Sequence, residues 1–171
     1  MSTKPTLTVT SDFTADFNDI VKKFKNDAVL VGIPEQDTKR EEDEGDSEIT
    51  NAALLAICNF GSPVQNIPAW PVMAIGIRNA QEEIATQFKL AATNALKMGL
   101  SALDIYYNRA GIIASTSIKK VINSQEDVPP NKPSPSTLKS RKSAGFKGQK
   151  YWIRTGQMRN AITYVVKGEV K

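Results

Sequence analysis

Between Pro71 and Asn123 the chain carries an almost unbroken helical pattern, and that length of helix constrains the fold more than any other feature. Proline at a favourable first-turn position opens it. Ile77, Ile84, Phe88, Ala91 and Ala95 then line one face, while Gln81, Glu82, Glu83, Gln87 and Lys89 fill the other. A break is expected near Gly99. Beyond it Leu103, Ile105, Tyr106, Ile112, Ile113, Ile118, Val121 and Ile122 continue the pattern over 101–123, with Gly111 and several β-branched residues weakening its second half. A chain of 171 residues organised around such helices is expected to form a single domain over 1–171.

The flanking segments supply the partners. In "SDFTADFNDIVKKFK", residues 11–25, Phe13, Phe17, Ile20, Val21 and Phe24 recur at helical spacing behind a Ser/Asp cap signal, predicting an amphipathic first helix that packs on something flat. The β-branched run "AVLVGIP", 28–34, reads as a strand stopped by Pro34. "ITNAALLAICNF", 49–60, reads as a short buried helix ended by Gly61, and "GSPVQNIPAWP" as a rigid extended connector. Ser124–Lys150 reads as a Pro/Ser/Lys-rich loop or arm without a packed fold of its own. "RTGQMRNAI" then suggests a cap at Thr155 opening one helical turn, and "AITYVVKGEV" a closing strand.

Charge is unevenly placed. The net +4 conceals an acidic loop at 35–48, with eight carboxylates including Glu41, Glu42, Asp43 and Glu44. Residues 128–168 hold nine Lys/Arg and no Asp or Glu. Solvated surface is one reading of such runs; opposite patches on one subunit also suit head-to-tail contact between copies.

Several chemistries are argued against. No histidine is present to serve as general base or metal ligand, and the one cysteine, Cys58, sits in "ALLAICNF", where a buried small hydrophobe fits better than a nucleophile. The acidic loop lacks the ligand spacing of an EF-hand, "GFKGQK" lacks a phosphate-loop ending, and a hydrolase built on Asp104 would have neither base nor metal. No catalytic residue, metal or cofactor is therefore expected. The N-terminus lacks a signal-peptide stretch and no apolar run approaches the roughly 18 residues of a span, so a cytoplasmic protein without a membrane partner is expected. A nucleic-acid reading stays open: "KSRKSAGFKGQKYWIR" interleaves Lys139, Arg141, Lys142, Lys147 and Arg154 with Phe146, Tyr151 and Trp152, the mixture that contacts phosphates and stacks bases. A solvated arm whose aromatics dock on their own domain is the preferred alternative. Trp70 and Trp152 read as core pins or as interface anchors, with the core role ahead.

Two stretches in order, "NAALLAICNFGSPVQNIPAWPVMAIGIRNA" and the pair "PPNKPSPSTLKSRKS" and "IRTGQMRNAITYVV", resemble the tail-component, or neck and tail-completion, proteins of tailed bacteriophages. The resemblance covers roughly residues 28–167. It rests on a Phe60-Gly61 turn, an Ile67-Pro68 step, Pro71 before a long helix, and a Thr155-Gly156-Gln157-Met158 turn before a last strand. Where that family often has His-Glu before Phe-Gly, this chain has Cys58 and Asn59. The resemblance implies an α+β fold, a small antiparallel sheet packed by a long helix and shorter helices, with two long flexible loops. It further implies a non-enzymatic virion protein assembled in a bacterial host's cytoplasm. Its copies would form a ring, a hexamer being the candidate, at the head–tail junction. Its neighbours would be head-completion or connector and tail-tube proteins, and genomic DNA would pass through the lumen without specific binding. On that reading Trp70, Lys139, Arg141, Lys142, Phe146, Lys147, Tyr151, Trp152 and Arg154, with Glu41, Glu42, Asp43 and Glu44, are candidates for subunit contacts.

Overall fold

In a computed structural model, which describes residues 14–34, 49–125 and 133–168, the chain is arranged around one helix. The elements run α1 (Thr14–Asn26), β1 (Ala28–Gly32), α2 (Asn51–Phe60), a 3-10 turn (Pro63–Gln65), α3 (Val72–Asn79), α4 (Gln81–Met98), α5 (Ser101–Ser124), α6 (Pro135–Ser143), α7 (Gln157–Ala161) and β2 (Thr163–Lys167). The fold is α+β: seven α-helices among the described residues and a small sheet in which β1 pairs antiparallel with β2, Leu30 opposite Val165. Among the described residues no helix is long and apolar enough to cross a membrane.

Helix α5 is the axis because it is the element whose apolar residues feed both cores. Leu103 and Tyr107, near its start, join Ile20, Ala91 and Ala95 in one cluster, with Val29 and Val166 of the sheet against it. Ile118, Val121 and Ile122, about three to four turns beyond Tyr107, join Leu55, Cys58, Trp70, Val72, Met158 and Ile162 in the other. Alanines at 91, 95, 102, 110 and 114, all buried, let α4 and α5 approach closely. At the end of α1, Lys23 bridges Asp27 at 2.7 Å and Asp104 at 3.1 Å, tying α1 to α5. Asp104 is thus an exposed partner of a lysine rather than a lone acid.

The predicted single helix from Pro71 is two. Pro71 stands just before α3 as its cap, and the helix turns at Ala80, whose φ of −103° and ψ of 6° leave the helical region. The cause lies across the interface. Ser117 Oγ on α5 donates to the Gly76 carbonyl at 2.8 Å, and the bond from the Ala80 N–H to that same carbonyl stretches to 3.3 Å. Ile77 consequently belongs to α3 and is partly exposed, outside the face formed by Phe88, Ala91 and Ala95. Ile105 and Ile112, expected in the helical stripe, point to solvent, and the predicted break at Gly99 is present with a φ of 78°. The first helix starts at Thr14, so Phe13 and its predicted cap lie outside the described residues.

The predicted arm from Ser124 to Lys150 also needs correction. Ser124 still belongs to α5, and residues 135–143 form α6. Pro135 occupies the first turn, where its missing N–H costs nothing, and Ser134 Oγ accepts the Thr137 N–H at 3.2 Å.

Candidate interaction surface

The two motif stretches meet in space. Helix α2 ends at Gly61, whose φ of 78° carries the chain into a short loop closed by a bridge between Ser62 and Ile67. A side chain could not stand there, since a β-carbon would lie 2.8 Å from both the Ala69 nitrogen and the Ile67 oxygen. The loop returns the chain so that the Trp70 N–H donates to the Cys58 carbonyl at 2.8 Å, and the Met73 N–H donates to Asn59 Oδ1 at 3.3 Å. From the far end of the sequence, Met158 on α7 brings its sulfur within 3.8 Å of Cys58 Sγ. Gly156, at a φ of 86°, caps α7, with Thr155 Oγ1 accepting the Gln157 N–H at 3.4 Å.

This geometry divides the motif residues between core and surface. Trp70 is fully buried, so it anchors its own domain and cannot reach a neighbouring subunit from this position. Its indole N–H has no acceptor among the described residues, a cost of about 1–3 kcal/mol that burying so large a ring offsets. Met158 and Gly156 are buried as well, and Ile67 and Gln157 half-buried. Pro68, Pro71 and Thr155 lie at the surface, and Phe60, 77% exposed beside Val64 at 95%, is the motif residue that presents a large apolar side chain outward. Burial pushes the Cys58 thiol pKa well up, which fits the core role assigned to it.

The basic arm is a built structure fastened to the end of α5. Gln125, in the left-handed region at a φ of 58°, clamps Tyr151 with two bonds: its Nε2 donates to the Tyr151 carbonyl at 2.5 Å, and its Oε1 accepts the Tyr151 N–H at 2.9 Å. Lys150 Nζ donates to the Asn123 carbonyl at 2.6 Å, and Arg159 Nη1 to Asn123 Oδ1 at 2.7 Å. Within the arm, Arg141 donates to the carbonyls of Lys150 at 2.7 Å and Gly148 at 3.4 Å, folding 144–150 back against α6. Burial, and secondarily the nearby Arg154 charge, lower the Arg141 pKa. Arg154 in turn covers the Phe146 ring at 4.6 Å.

The aromatics are therefore committed to their own domain. Tyr151 stacks edge-on with Trp152 at 4.8 Å and lies 6.2 Å from Trp70, and all three pack in or against the α5 core. What the arm offers outward is charge. Lys139, Lys142 and Lys147 are exposed and make no ion pair among the described residues. Lys142 and Lys147 flank a shallow hollow of about 450 Å³ floored by Leu138 and Phe146. Glu41, Glu42, Asp43 and Glu44 lie outside the described residues. Asn123, Gln125, Lys150 and Arg159, which hold the arm in place, carried no signal that sequence reasoning could use, because their partners are backbone or amide groups up to 36 positions away. Among the described residues no group of three or more His, Cys, Asp or Glu side chains is placed to hold a metal ion.

No family model, no curated protein and no solved structure matches this chain.

Proposed function

We propose that the chain is a structural protein of a tailed-phage virion, a ring-forming adaptor of the neck or tail-completion type that acts without catalysis. The observation that carries this reading is the junction of Cys58, Trp70 and Met158. The two stretches on which the resemblance rests pack as one unit, so it concerns a joint structural core and not two separate short strings. A second support is the arm, which is hydrogen-bonded to the end of α5 while three exposed lysines remain available, as a docking element should be. Carboxylates of the 35–48 segment on another copy are chemically suited to meet it.

Immunogold electron microscopy tests the reading, with serum raised against the purified chain and virions from a lysate of the host. Label concentrated at the head–tail junction is expected. Unlabelled intact and tail-only particles, with abundant chain in the soluble lysate, would overturn the adaptor reading.

The exposed Lys139, Lys142 and Lys147 favour one other reading, nucleic-acid binding by residues 139–154. It predicts tight binding at low salt with a steep loss as salt rises. An adaptor should bind DNA weakly, and with Phe146, Tyr151 and Trp152 engaged internally the arm lacks free faces for base stacking.

A further inference from the structure

The arm joins the rest of the fold over a short junction. Helix α6 buries no residue and makes no extensive contact with another named helix or strand among the described residues. What holds it is the return segment: Arg141 gathers the carbonyls of Gly148 and Lys150, and Lys150 and Tyr151 bond in turn to Asn123 and Gln125 at the end of α5. Without that junction α6 is a polar helix of nine residues, too short to keep its turns in water.

Trp152, on which the junction ends, carries two costs. Its φ of 62° lies in the left-handed region, where a bulky L-residue is an outlier. The other non-glycine residues found there, Asn66 and Gln125, each cap a helical segment, the position at which that geometry is ordinary; Trp152 stands in a turn and caps none. Its indole N–H is also buried without an acceptor among the described residues. Such costs persist where surrounding contacts over-determine them. Here those contacts are the Tyr151 ring at 4.8 Å, packing on the α5 core, and the two bonds by which Gln125 grips Tyr151.

We propose that this junction is a strained latch: the arm from α6 to Trp152 opens as one unit, ahead of the rest of the fold, when the Gln125–Tyr151 pair parts. Parting frees the Trp152 backbone from its left-handed geometry and gives its N–H to water, so both costs favour opening. Burial of the two aromatic rings opposes it and keeps the closed arm the ground state. The open arm presents the Tyr151 and Trp152 rings beside the lysines that the closed arm already shows. The latch stands or falls independently of the adaptor reading.

Native-state hydrogen exchange on the full chain tests it. The amides to follow are those of Leu138, Ala144, Phe146 and Tyr151, bonded within the arm or to Gln125, and those of α5 between Ala110 and Ile118. The arm amides should share one opening constant, roughly a hundredfold larger than that of the α5 amides. Gln125→Ala removes both side-chain bonds and should raise exchange at all the arm amides together, roughly tenfold, with 110–118 unchanged. A pair of variants isolates the strain. Trp152→Ala and Trp152→Gly remove the same ring, but glycine accepts a positive φ freely, so its arm should exchange about threefold more slowly than that of the alanine variant. Arm amides that exchange only together with α5, or that answer Gln125→Ala one at a time, overturn the opening as a unit. Equal rates in the two Trp152 variants overturn the strain.

Discussion

Glycines at 76 and 111 show how single residues fix the packing on α5. A β-carbon at Gly76 would lie 2.6–2.9 Å from Ile118, including its backbone, and one at Gly111 would overlap the Tyr164 ring. In sequence Gly111 reads only as a weak point in a helix; in the structure its missing side chain is the seat for the sheet. Gly76→Ala gains up to about 1 kcal/mol of helix propensity, but overpacking against a backbone that cannot step aside costs about 1–3 kcal/mol. We expect net destabilisation, read as a lower denaturant midpoint with an unchanged slope. Gly32→Ala is the control, because among the described residues no atom beyond its chain neighbours lies within 4 Å of the added carbon; it should be neutral or mildly stabilising. Equal midpoints for the two variants would show that close approach at Gly76 does not govern that interface.

At the scale of elements, what was legible depended on whether the cause was local. The ends of α2 and α4 could be read because Gly61 and Gly99 take up positive φ, and β1 and β2 because β-branched runs alternate. The turn at Ala80 could not, since its cause is a serine hydroxyl 41 positions from the carbonyl it captures. Helix α6 was hidden for the opposite reason: Pro133 and Pro135 look like breakers, yet one stands before the helix and the other in its first turn. The candidate surface was legible as a basic stretch, but the clamps that shape it were not. Helix α6 is short, polar and without a buried residue, so its cap should matter more than propensity. Ser134→Ala should cost about 1 kcal/mol, raising amide exchange over 138–143 roughly fivefold while α5 amides keep their protection. Unchanged exchange in α6 would mean that the Arg141 bonds, rather than the cap, hold it.

For the molecule as a whole, the absence of histidine leaves no side chain whose ordinary pKa falls between pH 5 and 8, so stability should be flat across neutrality. The resolved shifts on Cys58, Tyr107, Tyr151 and Lys23 all point upward. Burial raises Cys58 from 9.0, and burial raises Tyr107 and Tyr151 from 10.0. The hydrogen bond to Asp27 raises Lys23 from 10.5. In each case the folded chain holds a proton that the unfolded chain releases more readily. The stabilisation is therefore complete below the unfolded pKa and is lost as pH rises toward the folded one. Cys58 has the lowest starting value and the deepest burial, so the decline should begin near pH 9, at up to about 1.4 kcal/mol per pH unit for one proton, and steepen above pH 10 as the tyrosines join. Cys58→Ala separates this from general alkaline damage. Whatever the small cavity beside Met158 costs at neutral pH, the variant has no thiol to titrate, and its decline should start about one unit later. The same onset in both proteins, measured by denaturant unfolding between pH 7 and 11, would show that the proton held at the Cys58–Met158 junction does not set the alkaline limit of the fold.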